Sequence, residues 1–549
     1  MKRSMLAAVC GVAVCAILAS VPCQAGVTII GGPTFDSASG NGYKNPALAY
    51  GYTNVCNGAV TGYAEKFVGG VSKGNRGIRW DVFGNVTELG TLGTNSSGVT
   101  DCKANTLNSV GAVVGMSTKY VGDVSKNSRA VRWDASGTTA TELGGLGTNS
   151  SGATNGVATG INTAGTTVGY AIKYDGGAAR GYRPVRWDAG STTAVELEIM
   201  GTYTNGGSTG YAYTINDAGT ITGCVNKYVS GVSQGMRPVR WSASGAVTEL
   251  GVLGTDSYGS GYGQGLVINA AGDVAGYVQK YVGGNFKGNR AVRWDATGTV
   301  ATELAIMGTD ANGVSESGAA SLNDAGTAVG YARKYVNGVN MGDRPVRWAA
   351  GGSAVTELGI LGTNINGVTA GCAYATNAVG VTIGLVAKYD AGGTLLGNRA
   401  MMWRASGEAI DLTTMLSPGS GWVSLNSACG ITNDGWISGI GSFDPDGAGP
   451  LAAYDRMFLM AARAPGDANL DGRCDFSDYL VLESNFGGTG KAWNHGDFDS
   501  DGDVDFKDYL ALESNFGTVA SVPEPISMSV LLAGAMAILR PRRRSLGRR

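Results

Sequence analysis

Histidine is almost missing from this sequence. The 549-residue chain holds one, His495, and it lies outside the repeated region described below. A Ser-His-Asp or Cys-His nucleophilic centre needs an imidazole base beside the nucleophile, so none can form within the repeats. Charge is scarce as well: Asp, Glu, Lys and Arg make up 15% of the residues and the formal net charge is −2. Cysteine is sparse and irregular. Of nine, Cys10, Cys15 and Cys23 fall in an N-terminal leader. The other six (Cys56, Cys102, Cys224, Cys372, Cys429 and Cys474) occupy different positions in their repeats. That scatter argues against a disulfide framework or a metal cluster. They read as small buried residues, with Cys102 and Cys372 near equivalent loop positions and one fortuitous disulfide as the upper limit. No segment of the repeats carries ten or more residues with helical period.

Glycine, by contrast, is abundant at 91 residues, and the sequence repeats. An Arg-Trp pair falls at Trp80, Trp133, Trp187, Trp241, Trp294 and Trp348, with a Met-Trp variant at Trp403, at spacings of 53, 54, 54, 53, 54 and 55 residues. Around each Trp the same phrases return: "GYAxKY" before it, "TEL" after it, then "GTxxxG" leading to "IN-x-AG". Each unit reads as four short strands. In the unit around Trp294 these are 266–269, 274–278, 290–294 and 302–304, the last pairing back onto 290–294 across the turn at 295–298. Short runs of Val, Ile, Tyr and Trp punctuated by Gly, Asn and Asp are the hairpin pattern.

Four strands per repeat of this length predict an all-β fold, a β-propeller over residues 27–462. Both ends of the array are incomplete. Residues 430–439 and 456–460 supply the first three strands of an eighth unit, with no "TEL" strand after them. Residues 27–30 are an orphan copy of that missing strand. We therefore expect eight four-stranded blades closed by an N-terminal strand, since closure removes exposed sheet edges. An open β-solenoid is the competing architecture, and an unpaired strand at each end counts against it.

The recurring residues read first as structure. Trp294 and its equivalents share a face with Val292 and should pack between blades. Arg293 should face Glu303 across the hairpin, as should Arg79 and Glu88, Arg132 and Glu142, and Arg347 and Glu357, forming a repeated cross-strand ion pair. The Lys-Tyr pairs (Lys119-Tyr120, Lys280-Tyr281, Lys334-Tyr335) read as solvated strand ends. A glycosidase needs only two carboxylates, but the acids here are repeated positions such as Glu249 and Glu357 or turn residues such as Asp217 and Asp324. Glu316 breaks the pattern alone. No catalytic residues emerge. In its "GxAxxIN-x-AGxxVGYA" and "RAVRW" phrases the array resembles the HAF family of extracellular repeats, which implies a secreted, repeated architecture.

After Pro465 the composition changes. Asp467, Asn469, Asp471, Asp475 and Asp478 place oxygen donors at positions 1, 3, 5, 9 and 12 of a loop, with Gly472 at position 6. Asp497, Asp499, Asp501, Asp505 and Asp508 repeat the pattern around Gly502. Position 7, Arg473 or Asp503, would contribute its backbone carbonyl. Ca²⁺ needs six to eight hard oxygens and a Gly at the sharp turn, so the spacing predicts two Ca²⁺ sites. Each loop runs into the same helix, 479–486 and 509–516. The duplicated loop-helix, with Asp at position 12 and no helix before the first loop, resembles a type I dockerin over residues 466–517. That resemblance implies a module that folds on Ca²⁺ and binds a cohesin-like protein. The family's small hydroxyl residues at positions 10 and 11 are here Phe476-Ser477 and Phe506-Lys507.

The two ends read as targeting segments. Residues 1–25 have Lys2 and Arg3, an apolar run over 5–21 and a small-residue cleavage site at Cys23-Gln-Ala25, the pattern of a secretory signal peptide. Residues 522–549 run Val-Pro-Glu-Pro, an apolar stretch over 526–539 and a cluster of Arg. The apolar stretch is a short transmembrane segment, and the Arg cluster would stay cytoplasmic. This order resembles a PEP-CTERM sorting signal, which implies processing by an exosortase during export to the cell surface or extracellular matrix. Residues 466–517 hold twelve acidic against three basic side chains. The propeller is therefore close to neutral, without the electrostatic footprint of a nucleic-acid binder. The sequence thus predicts an exported structural or binding protein, with a carbohydrate-binding or polysaccharide-degrading propeller as the alternative. The aromatic loops at Tyr211, Tyr213 and Tyr258–Tyr262 are the candidates for extracellular polysaccharide.

Overall fold

Each 54-residue period folds into one blade. The computed structural model describes residues 29–517 apart from 37–38, 49–54, 57–58, 82, 353, 417–418, 448, 462–465, 471–472, 492 and 499–501. The signal peptide over 1–25 and the sorting tail over 522–549 lie outside the described residues. The described strands form eight sheets. Blade 5 is representative: Gly263–Ile268, Val274–Val282, Asn285–Trp294 and Thr302–Glu303 pair in that order, every pair antiparallel. The first strands of successive blades lie side by side around a central axis, from Cys102–Leu107 in blade 2 to Trp422–Ile431 in blade 8. The array is an eight-bladed β-propeller.

Closure follows the predicted route. Ile29–Gly31 pairs with Tyr454–Ala461 as the fourth strand of blade 8, in the order 29–31, 454–461, 436–443, 422–431. Arg456 fastens it, donating from Nε and Nη2 to Gly32 O at 3.1 and 2.9 Å. Ile30 of this strand, with Cys429, Met457 and Leu459 of blade 8, packs against Val60, Ile78 and Trp80 of the first blade. The sheet of blade 1 is larger than the rest, because Phe35–Asp36 and Asn41–Ala47 also join it.

The Trp residues are the inter-blade packing expected of them. Trp80, Trp133, Trp187, Trp241, Trp294, Trp348 and Trp403 are at most 1% exposed. Six indole N–H groups reach back to a carbonyl of the preceding blade just after its fourth strand, such as Trp294 Nε1 to Gly251 O at 2.9 Å and Trp403 Nε1 to Gly359 O at 2.9 Å. Each ring so buried contributes on the order of 3–5 kcal/mol. At the same end of the strands a relay of amides links the turns. Asn269 Oδ1 accepts from Asp273 N at 2.8 Å within its own turn, and its Nδ2 donates to Asn323 O of the next blade at 3.3 Å. The same link joins Asn108 to Asn162, Asn162 to Asn216, Asn216 to Asn269 and Asn323 to Asn377.

The glycine of "AGY" has a specific cause. A bulge between Gly265 and Val267 in the first strand pushes that chain toward the second. A Cβ at Gly276 would lie 2.0 Å from Gln264 O. Only Gly fits there.

The ion-pair expectation is corrected. Glu303 does not pair with Arg293: the register sets Glu303 opposite Val292 and Thr302 opposite Arg293. Strand residues alternate faces, so Glu303 meets Arg290, two residues earlier than Val292 on the same face. Arg290 Nε lies 3.1 Å from Glu303 Oε1, and Lys280 Nζ lies 2.6 Å from Oε2. Glu88 likewise takes Arg76 and Lys66, Glu142 takes Arg129 and Lys119, and Glu357 takes Arg344 and Lys334. Lys119, Lys280 and Lys334 are therefore ion-paired rather than simply solvated. The second Arg of the phrase ties to the next blade instead. Arg79 donates to Asp134 O and Gly137 O at 3.0 and 3.2 Å, and Arg240 to Asp295 O and Gly298 O at 3.0 and 2.8 Å.

Candidate functional site

Two regions depart from the repeat: a cavity lined by tyrosines on one face of the propeller, and the loop-helix pair after it.

The central axis is lined by first strands and is mostly Thr, Ile, Val and Gly. Thr106, Thr159, Thr214, Val267, Ser321, Thr376 and Cys429 bound a channel of about 270 Å³ there. Beside it, where the first strands of blades 4 to 7 begin, lies a cavity of about 600 Å³. Its wall includes Tyr213, Gln264, Tyr277, Asn289, Tyr331 and Tyr374. Gln264 Nε2 donates to Tyr262 OH at 2.6 Å. Tyr213 OH lies 3.2 Å from Cys224 Sγ. Burial raises the Tyr277 phenol, and the hydrogen bond with Tyr262 adds to this. Burial also raises Tyr331, helped by the nearby Asp343 and Glu316 carboxylates. These phenols stay neutral through the physiological range. Arg333 and Asp343 neutralise one another at 2.8 and 3.3 Å, and Glu316 Oε2 accepts from Asn289 N at 3.2 Å.

The aromatic lining continues into blades 3 and 4. The rings of Tyr211 and Tyr213 are nearly parallel at 6.3 Å and 3°, and Tyr170 meets Tyr211 edge-on at 5.0 Å. Tyr211 and Tyr213 were legible as candidates in the sequence, and Tyr213 does reach the cavity. Tyr258 stands in the loop, 85% exposed. Sequence reasoning missed Tyr277, Tyr331 and Tyr374. Tyr277 and Tyr331 are the first Tyr of the recurring "GYAxKY" phrase and so read as structure, whereas Tyr374 carried a usable signal, standing where blades 5 and 6 have Leu266 and Ala320.

Cys102 and Cys372 are free thiols, as are Cys224 and Cys474. Cys102 and Cys372 belong to first strands of blades 2 and 7 rather than to loops, so they do not form the disulfide entertained above. Desolvation pushes the Cys102 thiol up to about 11 and Cys224 and Cys372 to about 12. All three are unreactive at neutral pH.

In the loop-helix pair, α1 spans Phe476–Asn485 and α2 spans Phe506–Asn515. Both start three residues before the predicted 479 and 509. Asp475 and Asp505 are N-caps, and Asp478 and Asp508 complete capping boxes three residues on, which satisfies free N–H groups of the first turn. The loops exchange backbone bonds symmetrically: Gly487 N donates to Val504 O and Gly517 N to Cys474 O, both at 2.8 Å.

Asp467, Asp478, Asp497 and Asp508, positions 1 and 12 of each loop, are 0 to 2% exposed. Asp478 Oδ1 accepts from Ala468 N and Asn469 N at 2.9 and 3.2 Å, and Oδ2 from Asp475 N at 2.9 Å. Asp497 Oδ2 accepts from Gly502 N at 3.0 Å. Asn469 is half-buried, the side chains of Arg473 and Asp503 are exposed, and Asp475 and Asp505 are half-buried. Asp471, Asp499 and Asp501 lie outside the described residues. Among the described residues no group of three or more His, Cys, Asp or Glu converges on one point. What the structure brings together is buried carboxylate oxygen at both ends of each loop, a hard donor set that fits Ca²⁺. Sequence reasoning missed Arg404 here. It is 4% exposed and donates from Nη1 to Leu470 O of the first loop at 3.0 Å. The signal was present: Arg404 follows Trp403 where other blades carry Asp, Ser or Ala.

No protein-family model matches the chain, and no curated protein matches it. Solved structures of similar shape are β-propeller proteins and enzymes at low identity. The propeller domain of a trilobed protease from Pyrococcus furiosus is 11% identical, with 69% of this chain and 97% of that one covered and a TM-score of 0.37. A puromycin hydrolase is 9% identical, with 73% and 62% covered and a TM-score of 0.39. The polysaccharide lyase Uly1 is 9% identical, with 75% and 90% covered and a TM-score of 0.36. At this distance they carry no inference about activity. The class of the molecule rests on its own eight sheets.

Proposed function

We propose that the chain is an exported, surface-associated binding platform: a closed propeller carrying a Ca²⁺-dependent interaction module and a processed sorting tail. The observation that carries the Ca²⁺ assignment is the burial of Asp467, Asp478, Asp497 and Asp508 in two symmetry-related loops. Buried ionised carboxylates are costly without compensating charge, and two bound Ca²⁺ ions would supply it. Asp467, Asn469, Asp471, Asp475 and Asp478, with the Arg473 carbonyl, would hold one. Asp497, Asp499, Asp501, Asp505 and Asp508, with the Asp503 carbonyl, would hold the other. Phe476 and Phe506 stand at equivalent places, 61 and 62% exposed, each stacked on the Tyr of its own helix. They offer a cohesin-like or other protein partner two matched aromatic contacts. The resemblances of the leader and tail support export to the cell envelope, surface or matrix, with an exosortase-type enzyme as processing partner and transient membrane attachment through the tail.

A polysaccharide-degrading reading has less support. The repeated Glu residues of the blades are held by Arg and Lys, and Glu316, Asp217 and Asp324 accept backbone N–H groups.

Calorimetric Ca²⁺ titration of the full chain tests the module. Two sites are expected, with Asp467→Ala and Asp497→Ala each removing one, and a Ca²⁺-dependent rise in the unfolding temperature of the helical signal. At a hundredfold excess over Kd the stabilisation is about 2.7 kcal/mol. Absence of binding would sink the Ca²⁺ assignment. Fractionation of producing cells tests the location, and a chain retained in the cytoplasm would sink the platform reading.

A further inference from the structure

Positions that build the propeller recur in register, whereas the first-strand positions that line the tyrosine cavity do not. Where blade 5 has Gln264, blade 4 has Tyr211, blade 6 has Gly318 and blade 7 has Cys372. Two residues on, the same blades give Leu266, Tyr213, Ala320 and Tyr374. In the second strand the facing residues are Tyr277, Cys224, Tyr331 and Leu385. The hollow arises from this irregularity. Blade 6 contributes Gly318 and Ala320 where its neighbours carry larger side chains. A Cβ on Gly318 would come within 2.9 Å of the Tyr331 ring, so the bare glycine lets that ring lie across the strand.

The wall selects its ligand chemically. Its polar atoms are phenol hydroxyls and the carboxamides of Gln264 and Asn289, and its flat surfaces are tyrosine faces. No charged side chain is among the described residues that line it. The nearby Arg333 and Asp343 neutralise one another and the Glu316 carboxylate accepts from Asn289 N, so an anion meets no cation among the described lining residues. Aromatic faces with neutral donors and acceptors suit a ring compound that has apolar C–H faces and a rim of hydroxyls. The volume of about 600 Å³ lies within the range of about 300–1,000 Å³ typical of small-molecule sites. Parallel Tyr211 and Tyr213 extend the aromatic surface outward, as a chain longer than one ring requires.

We propose that the cavity between blades 4 and 7 binds a short segment of a neutral polysaccharide, stacked on Tyr213 and Tyr374 and hydrogen-bonded by Gln264 and Asn289. This rests on the platform reading and gives it a ligand class.

The test uses the full chain with short neutral oligosaccharides of the cello, xylo, manno and chito series, followed by calorimetry. One series is expected to bind the unaltered protein. Tyr213→Ala and Tyr374→Ala should each weaken it about tenfold or more, and Ala320→Trp, which fills the cavity, should abolish it while the far-UV circular dichroism is unchanged. Should a variant fail to fold, spectra of the unaltered protein with ¹³C-labelled tyrosine decide: shifts confined to Tyr213, Tyr277, Tyr331 and Tyr374 support the site, and shifts elsewhere overturn it. Binding that survives Ala320→Trp in a folded protein overturns the cavity assignment and leaves the platform reading intact, as does the absence of oligosaccharide binding in a chain found at the cell surface.

Discussion

Arg290 and Lys280 hold opposite oxygens of one carboxylate, yet they are not equivalent. The Arg290 side chain is 2% exposed and Lys280 is 32% exposed. Arg290 also donates to Ser315 O of the next loop. Arg290→Ala leaves that carbonyl and half of Glu303 without a donor in a desolvated place, and should cost about 3 kcal/mol. Lys280→Ala loses a solvated pair and should cost under about 1 kcal/mol. Urea unfolding of the two variants checks the ranking. Three desolvated thiols, two buried and Cys372 partly exposed, give a pH prediction. Folding raises Cys102, Cys224 and Cys372 from 9.0 to about 11–12. The folded state therefore holds protons that the unfolded chain releases from about pH 9 upward. Their contribution is fully present below pH 9 and lost as pH rises toward 12. Thermal melts should be flat in this respect up to pH 9 and fall above it, and Cys102→Ala with Cys224→Ala should flatten the fall.

The strand Ile29–Gly31 is three residues long but closes the ring. It supplies the fourth strand of blade 8, and its neighbour Gly32 receives both donors of Arg456. Without it, the edge of Tyr454–Ala461 is bare and the cluster joining blades 1 and 8 loses Ile30. Deleting residues 27–32 should lower the unfolding temperature by several degrees, about what loss of 2–3 kcal/mol gives. It should also expose blade 8 to proteolysis before the other blades. Limited digestion followed by mass spectrometry reads this directly. Equal protection of all blades would show that the ring does not depend on this strand.

In the molecule as a whole, the helical pair is attached to the propeller by more than the chain. Arg404 leaves blade 7 to bond Leu470 within the first loop, and Leu470 is held at φ +57°. One charge-assisted hydrogen bond in a buried place contributes about 1.5–3 kcal/mol. Arg404→Ala should therefore release the module, increase the radius of gyration in solution scattering, and speed cleavage between residues 461 and 466. The propeller melt should shift little, because within blade 7 Arg404 makes only the half-exposed pair with Glu408 at 2.9 Å, which contributes under about 1 kcal/mol. An unaltered scattering profile would mean that the contact contributes nothing to docking.

The period of the Trp residues was enough to determine the blade, because a repeat can bury its faces only against copies of itself, while the eighth blade and its closing strand were expected from the two incomplete ends of the array and settled by the pairing of Ile29–Gly31. Loop positions 1 to 12 were enough to propose oxygen donors from local spacing, and of these the structure buries Asp467, Asp478, Asp497 and Asp508. Helix starts were legible only to within three residues, since Asp475 and Asp505 serve as donors in the loop pattern and as caps in the helix. What the sequence left undecided depended on register. Whether Glu303 meets Arg293 or Arg290 turns on one residue of strand offset, which reverses every side chain between faces. The tyrosine cavity and the Arg404 contact join residues from different blades or from different parts of the chain. A departure from the repeat marks Tyr374 and Arg404, but what they touch exists only once the ring has closed.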